Sequence, residues 1–286
     1  MEDKYRKAIK DNAFKLTDEA VAEKVNKIIT EKSEENNTTE VLRKIYSCID
    51  LTTLNTTDTR EDIWKFTDKV NIFEGSNPEI NNVAAICVFP NFVKTVRESL
   101  TADVKIASVC GGFPSSQTFL EIKIAETALA VHDGADEIDV VLNLGYFLNG
   151  EFEELCEELD EIKEACHEAK LKIILETGAL KTAQNISDAS VLALYSGADF
   201  LKTSTGKVYS GATLEAAYVM CLAIKNYYKK TKVRKGIKIS GGVSIVKDAV
   251  NYYTIVKETL GEEWCNPELF RIGTSRLADI LLEAAH

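Results

Sequence analysis

Eight short apolar runs alternate with amphipathic stretches along most of the chain, and this alternation restricts its possible folds more than any other feature. The runs are continuously apolar rather than alternating in polarity, which is typical of strands buried on both faces. A strand followed by a helix favours a parallel sheet, and eight such units predict an α/β fold closed into a (β/α)8 (TIM) barrel. The runs cover residues 48–51, 83–88, 104–109, 136–142, 171–176, 199–204, 236–240 and 269–273.

The stretches between and after these runs have helical periodicity, and the first part of the chain differs from the rest. Residues 1–46 are charged and helical in pattern, with a polar break at 33–37. We therefore predict a helical N-terminal extension over 1–46 and a barrel over 47–286, close to the usual barrel length of about 250 residues. The predicted barrel helices lie near residues 60–73, 92–100, 117–132, 151–169, 184–195, 213–230, 245–260 and 275–284.

The net charge, the hydropathy and the cysteines of the chain limit the kinds of protein that it can be. The 286 residues carry a net charge of −11, which argues against general nucleic-acid binding but allows one small phosphorylated ligand. No run approaches the ~18 apolar residues of a membrane span, and the first residues carry no apolar signal core. The seven cysteines are odd in number and include no C-x-x-C pair, so we expect reduced thiols and a cytoplasmic protein.

Two segments resemble each other at a constant offset of 63 residues: HDGADEIDVV (132–141) and YSGADFLKTS (195–204). Gly-Ala-Asp is a common loop sequence, so chance is an alternative explanation. If the match is structural, the offset spans two units and relates strands 4 and 6. Asp139 and Lys202 then occupy equivalent positions on alternate strands, which together build one layer of a barrel interior. We expect this acid and this lysine to face each other near the barrel axis.

Three charged residues lie inside predicted buried strands: Lys202, Lys238 and Asp139. A single one could point outward or form a simple buried ion pair, but three at matching depth favour a reactive site. A lysine that is partly neutral at pH 7 can attack a carbonyl and form a Schiff base. Lys238 on the neighbouring strand could supply the like charge that lowers a lysine pKa, and Asp139 could transfer protons.

Glycine-rich segments follow the last three predicted strands: Thr205-Gly206-Lys207, Gly241-Gly242-Val243 and Gly273-Thr274-Ser275. In barrels the loops after strands 7 and 8 frequently bind phosphate through backbone N–H groups. One such segment is most often only a turn, whereas three in these loops favour a phosphate site. Lys207 could add charge there, or lie on the solvated surface.

Other catalytic chemistries find no support in the sequence. None of the three histidines has metal-ligand spacing, and no member of a histidine-dependent triad is evident. The nucleotide-binding motifs G-x-x-x-x-G-K-[ST] and G-x-G-x-x-G do not occur. We therefore predict neither a metal nor a cofactor, because a lysine iminium serves as the electron sink.

At these residues the sequence resembles the 2-deoxyribose-5-phosphate aldolase family, over about residues 45–282. The stretch ADFLKTSTGK is highly specific, and the matching segments occur in the family's order. They are IDLTTLN (49–55), NVAAICVFPNFV (82–93), GADEIDVVLN (134–143), ILETGALKT (174–182), GADFLKTSTGK (197–207), GIKISGGV (236–243) and FRIGTS (270–275).

The resemblance implies a class I aldolase that reversibly cleaves 2-deoxy-D-ribose 5-phosphate to D-glyceraldehyde 3-phosphate and acetaldehyde, in deoxyribonucleoside catabolism. It implies Lys202 as the Schiff-base lysine, with Asp139 and Lys238 as the proton-transfer pair. It places Asp50 and Thr52 near the sugar hydroxyls. The positions implied for the phosphate and substrate pocket are Thr205, Gly206, Lys207, Gly241, Gly242, Gly273 and Ser275.

One departure from the family pattern concerns the phosphate. Many relatives carry an arginine after the paired glycines, where this chain has Ser244. Ser244 leaves open a catalytically silent sugar-phosphate-binding barrel. The set of Asp139, Lys202 and Lys238 would equally suit another lysine-imine enzyme, such as a transaldolase-like or longer-sugar aldolase. We expect a homodimer from the resemblance and from the frequency of soluble oligomers.

Overall fold

The computed structural model describes residues 4–12, 14 and 16–285, and its centre is a closed barrel of eight parallel strands in chain order. The predicted (β/α)8 fold is confirmed. Each strand lies within two residues of a predicted apolar run at both ends. The strands are β1 Ile49–Thr52, β2 Ala85–Val88, β3 Lys105–Cys110, β4 Glu137–Val141, β5 Lys170–Ile174, β6 Phe200–Lys202, β7 Gly236–Ser240 and β8 Phe270–Thr274.

Helices cover the outside of the barrel. Threonines at their N-caps start several of them, and Thr59 forms a capping box with Asp62 at the start of α4. The described helices are α1 Lys4–Asn12, α2 Asp18–Lys32, α3 Thr39–Ser47, α4 Arg60–Phe73, α5 Val93–Ser99, α6 Leu120–His132, α7 Leu144–Asn149, α8 Phe152–Ala165, α9 Thr177–Leu180, α10 Ala183–Tyr195, α11 Leu214–Thr231, α12 Val246–Leu260 and α13 Leu277–Ala285.

Strand β6 is shorter than its predicted run over 199–204. Beyond Lys202, a side chain replaces part of the backbone pairing with β7. The hydroxyl of Thr203 donates to the carbonyl oxygen of Ser240 at 3.0 Å and accepts from the N–H of the same residue at 2.9 Å. The barrel therefore stays closed around Lys202 while the backbone turns into the following loop.

The barrel interior differs between its two sides. An apolar cluster fills the side of β2 and β3, whereas the side from β4 through β8 to β1 holds charged residues. Barrel interiors are ordinarily filled by layers of branched apolar side chains. The charged residues therefore indicate which side of the barrel interior holds the candidate active site. The apolar cluster consists of Leu54, Ala85, Cys87, Ala107 and Val109.

The N-terminal helices pack on the barrel. Val21 and Val25 of α2 belong to the same hydrophobic cluster as the barrel helices. Between α2 and α3, Asn36 donates to the hydroxyl of Thr254 on α12 at 3.0 Å. The division into 1–46 and 47–286 stays a prediction, and its residues 1–3, 13, 15 and 286 lie outside the described part. Within that part, no helix is long and apolar enough to cross a membrane.

Candidate active site

The acid and the lysine predicted to face each other are in contact inside the barrel. Lys202 ends β6, Asp139 lies on β4, and the Nζ of Lys202 is 2.8 Å from Oδ2 of Asp139. Lys238 is the register partner of Lys202 on β7, and its Nζ is 2.7 Å from the same oxygen. All three side chains are buried. The structure thus brings together the three residues for which the sequence predicts catalysis.

Asp50 is part of the same buried cluster. It is fully buried on β1, its Oδ2 lies 2.5 Å from Nζ of Lys238, and its Oδ1 accepts from Arg271 at 2.6 Å. The resemblance places Asp50 near the sugar hydroxyls, yet this residue does not line the cavity described below. In this geometry Asp50 pairs with Lys238, and neither residue lines the cavity.

Sequence reasoning missed three further members of the cluster: Lys172, Glu137 and Arg271. Lys172 donates to Oδ1 of Asp139 at 2.9 Å and lies 2.5 Å from Oε2 of Glu137. Arg271 binds both carboxylate oxygens of Glu137, at 2.8 and 3.1 Å. Each of these residues interrupts an apolar run, which is the same signal that pointed to Lys202. Applied to every run, that signal would have found all of them.

The surroundings shift the pKa values of the two lysines that flank Asp139 in opposite directions. Burial and the charge of Lys238 lower the pKa of Lys202, and the nearby Asp139 only partly opposes them. Burial acts in the same direction on Lys238, but Asp139 and Asp50 outweigh it and raise its pKa well above the usual value. Lys202 is therefore the lysine more readily present as a neutral amine, and Lys238 the one that stays protonated.

A cavity of about 530 Å³ opens at the carboxyl ends of the strands. Nine of the twelve predicted site residues line it, while Asp50, Asp139 and Lys238 lie beneath it. The predicted residues that line it are Thr52, Lys202, Thr205, Gly206, Lys207, Gly241, Gly242, Gly273 and Ser275. Val243, Thr274 and Ser244, which belong to or follow the predicted glycine-rich segments, also line it. The lining residues without a sequence prediction are Thr53, Leu54, Asn55, Phe66, Ser240 and Arg276.

A buried carboxylate holds the loop after β6. Glu176 has a left-handed backbone with φ of 52°, and its side chain turns toward that loop. Its oxygens accept from the hydroxyl of Thr205 at 2.5 Å and from the N–H of the same residue at 3.2 Å. The neighbouring Lys207 donates to the carbonyl oxygen of Leu54 at 2.5 Å. These contacts fix one wall of the cavity mouth.

The loop after β7 needs glycine for two reasons. Gly241 and Gly242 have φ of 89° and 91°, a region that side-chain-bearing residues rarely adopt. Gly211 in the loop after β6 packs directly against Gly241, so that a Cβ on Gly211 would collide with its carbonyl oxygen. The two loops thus touch through their backbones. Next to them, Ser244 and Arg276 line the cavity, and Arg276 is an exposed cation.

Known proteins that are similar to this chain are aldolases. A model of the DeoC/LacD family aldolases matches residues 44–262. The deoxyribose-phosphate aldolases of Bos taurus and Homo sapiens are each 42% identical to this chain over 257 residues, which cover 86% of this chain and 81% of each relative.

Solved structures give the same result. The aldolase QR15 is 30% identical with a TM-score of 0.67, over 84% of this chain and 95% of its own. A tetrameric deoxyribose phosphate aldolase from Aeropyrum pernix is 26% identical with a TM-score of 0.68, over 90% of this chain and 97% of its own. The resemblance found in the sequence is confirmed, and the chain belongs to the DeoC/LacD family of aldolases.

Proposed function

We propose that this aldolase reversibly cleaves 2-deoxy-D-ribose 5-phosphate to D-glyceraldehyde 3-phosphate and acetaldehyde through a Schiff base on Lys202. The substrate is supported by the names of its relatives in cattle and humans, which are deoxyribose-phosphate aldolases. The observation that carries the proposal is the amine of Lys202, which lines the cavity and has a lowered pKa. A neutral amine facing a substrate cavity is what Schiff-base formation requires.

In the cleavage direction the neutral amine of Lys202 attacks the aldehyde carbon C1 of the open-chain sugar. The resulting carbinolamine takes up a proton, loses water and becomes an iminium ion. The hydroxyl at C3 then gives up its proton and becomes a carbonyl as the C2–C3 bond breaks. The electron pair of that bond moves toward the iminium nitrogen and forms an enamine. Glyceraldehyde 3-phosphate leaves, C2 of the enamine takes up a proton, and hydrolysis releases acetaldehyde and the free lysine.

Lys238 and Asp139 are suited to the proton transfers in these steps. Lys238 stays protonated between Asp139 and Asp50, so that it can stabilise an oxygen that develops negative charge. Asp139 contacts the reacting amine at 2.8 Å, within reach of the protons that the carbinolamine gains and loses. We assign these two residues to acid–base catalysis in the proposed reaction.

The mouth of the cavity suits the phosphate group of the substrate. The loops with Gly241, Gly242, Gly273 and Ser275 line it, and loops after the last strands of a barrel commonly bind phosphate through backbone N–H groups. Arg276 beside Ser244 provides a cation at this end. We propose that these loops bind the phosphate and that Thr52, Thr205, Gly206 and Lys207 line the path of the sugar.

Borohydride trapping tests the proposal. The enzyme is incubated with acetaldehyde or the sugar phosphate, reduced with borohydride and mapped by peptide mass spectrometry. We expect one adduct, on Lys202, and none in the Lys202→Met variant. Lys207→Met, which removes the other lysine that lines the cavity, serves as the control and should still form the adduct. An adduct on another residue, or no adduct, would contradict the proposed mechanism.

A substrate panel separates the proposed reaction from that of another lysine-imine aldolase. Turnover is measured with acetaldehyde, dihydroxyacetone phosphate and longer ketoses as donors, and with glyceraldehyde 3-phosphate as the acceptor. We expect acetaldehyde to be the preferred donor. Preference for a ketose would instead indicate a transaldolase-like enzyme.

We also propose a cytoplasmic location and a homodimer. The location is supported by the seven cysteines, all of which are buried free thiols. The homodimer is supported by the frequency of symmetric oligomers among soluble enzymes, although the Aeropyrum relative is a tetramer. Light scattering of the purified chain distinguishes a dimer from a tetramer.

A further inference from the structure

We propose that Lys172 is a positioning residue of this active site: it holds the carboxylate of Asp139 so that one oxygen is always presented to Lys202 and Lys238. This inference rests on the proposed Schiff-base chemistry, because it concerns the carboxylate beside the reacting amine. It assigns a task to a buried cation that the reaction steps described above do not use.

The geometry divides the two oxygens of Asp139 between different partners. Oδ1 accepts from Lys172 at 2.9 Å, while Oδ2 lies 2.8 Å from Lys202 and 2.7 Å from Lys238. A rotation of the carboxylate away from this orientation would lengthen the contacts of both oxygens with these three lysines. Lys172 therefore determines which oxygen faces the reacting amine.

Lys172 itself is anchored away from the substrate. It is fully buried, it does not line the cavity, and it is the register partner of Asp139 on β5. Its Nζ also lies 2.5 Å from Glu137, which Arg271 holds by two hydrogen bonds. Lys172 also lies 3.7 Å from Oδ2 of Asp50, so it acts on the reaction through two carboxylates, Asp139 at the shorter distance. Because Lys172 does not line the cavity, it is a positioning residue rather than a catalytic one.

The positive charge of Lys172 has a second effect, which is to lower the pKa of Asp139. Burial raises the pKa of this carboxyl, but Lys172, Lys202 and Lys238 outweigh it and hold the pKa well below the usual value. Lys172 is the largest of these lowering influences. The groups that face or influence Asp139 from the surrounding strands are Asp50, Cys87, Cys110, Glu137, Lys172, Lys202 and Lys238.

The consequence is a shift in the pH dependence. Without the cation of Lys172, the pKa of Asp139 rises, and the carboxylate takes up a proton at a higher pH. A protonated Asp139 no longer provides the anion that keeps Lys238 charged. As the pH falls, activity is lost both when Lys202 takes up a proton and when Asp139 does, and the part of this acid limb that reports Asp139 should move toward neutral pH when Lys172 is neutralised.

The test compares Lys172→Met with the wild-type enzyme over a range of pH. We expect the acid limb of kcat/KM to move up by about one pH unit or more. We expect kcat to fall about 100-fold, because a misplaced carboxylate loses its alignment with the amine. KM should change little, since Lys172 does not line the cavity. Lys172→Arg retains the charge and should leave the acid limb near its wild-type position.

A second variant covers the case in which Lys172→Met fails to fold. The double variant Lys172→Met/Glu137→Gln removes one buried cation together with one of its anionic partners, so that fewer charges are left unpaired. We expect it to fold and to show the same shift of the acid limb. A folded double variant with a wild-type pH profile would overturn the proposal.

Carbon-13 NMR of the substrate-free enzyme supplies a readout that does not depend on turnover. Aspartate labelled at its carboxyl carbon reports the titration of Asp139, and Asp139→Asn identifies its signal. We expect that signal to titrate at a higher pH in the double variant than in the wild type. An unchanged titration overturns the role of Lys172, whereas a shifted titration without a borohydride adduct on Lys202 contradicts only the proposed function.

Discussion

Lys202 and Lys238 have identical side chains at the same level of neighbouring strands, yet they are suited to opposite tasks. Lys238 contacts two carboxylates, Asp139 and Asp50, and its pKa is raised. Lys202 contacts only the first of these and its pKa is lowered. The number of carboxylates in contact thus distinguishes the proposed nucleophile from the proposed proton donor, although the two lysines lie on neighbouring strands.

Arg276 lets us predict the effect of a single residue at the phosphate end. Arg276→Gln should raise KM for 2-deoxyribose 5-phosphate about tenfold, equivalent to ~1.4 kcal/mol, because it removes a charge-assisted contact. Activity on 2-deoxyribose without the phosphate should not change. Steady-state kinetics with both sugars measures the difference.

The control for this prediction is Arg234→Gln, in the loop before β7. Arg234 stacks over Tyr228 and Trp264 and does not line the cavity. It should leave both KM values as they are. Equal losses on both sugars in Arg276→Gln would show that this arginine does not recognise the phosphate.

At the scale of elements, the loops after β6 and β7 act as one unit because their backbones touch at Gly211 and Gly241. Gly211→Ala should push the two loops apart, raise KM, and destabilise the fold by about 1–3 kcal/mol. Substrate kinetics and thermal unfolding measure the two effects. Gly145→Ala in α7 is the matched control, since its nearest atom would lie 3.3 Å away and its backbone is helical. A harmless Gly211→Ala would contradict the close approach.

A second element-scale prediction concerns Glu262, which links α3 to α12. Its carboxylate lies 2.7 Å from Lys44 and 3.2 Å from Lys257, and their hydrogen bonds lower its pKa to about 2. A lowered carboxyl pKa gives stability that is present above about pH 5 and is lost as the pH falls toward 2. Glu262→Gln should therefore unfold at a slightly lower temperature at pH 7, and at the same temperature near pH 2.

The expected difference for Glu262→Gln at pH 7 is no more than about 1 kcal/mol, because the pair is partly exposed. Thermal unfolding at several pH values measures it. Glu31→Gln, whose carboxylate lies 3.8 Å from Lys27 on the same helix and is largely exposed, is the control and should unfold at the wild-type temperature at pH 7. A difference that persists at pH 2 would contradict the assigned cause.

Sequence patterns were sufficient for the strands but not for every element. Continuous apolar runs identified all eight strands because both faces of each are buried. The short helices α7 and α9 were not predicted, since four to six residues in a loop show no periodicity. Strand β6 ends early because Thr203 bonds to β7 through its side chain, which a hydropathy pattern does not reveal.

At the scale of the whole molecule, the site depends on closing the sheet. Asp139 and Lys202 could be related from the sequence because an internal repeat connects their strands. Lys172 and Arg271 could not be placed in the same way, because no repeat connects them to Asp139 and only ring closure brings β8 beside β1. Ser244 and Arg276, by contrast, follow the neighbouring strands β7 and β8 and line the same cavity without needing that closure.

Lysine and arginine side chains pair with the carboxylates near Lys202, and from these pairs we predict activity without a metal. Within residues 4–12, 14 and 16–285, no group of three or more His, Cys, Asp or Glu side chains is arranged to hold a metal ion. The carboxylates near Lys202 are instead occupied by lysine and arginine. Activity measured after dialysis against EDTA should equal that of the untreated enzyme. A loss that a divalent metal restores would indicate a metal-dependent aldolase mechanism.

The depth of Lys202 has a consequence for the synthetic direction of the reaction. The amine lies at the inner end of the cavity, whereas the loops suited to phosphate lie at its mouth. A two-carbon aldehyde must therefore reach the lysine before a phosphorylated acceptor occupies the entrance. For the proposed reaction we therefore expect ordered substrate addition, with the donor first, and we expect an excess of acceptor to slow carbon–carbon bond formation by blocking an enzyme that does not yet hold the donor.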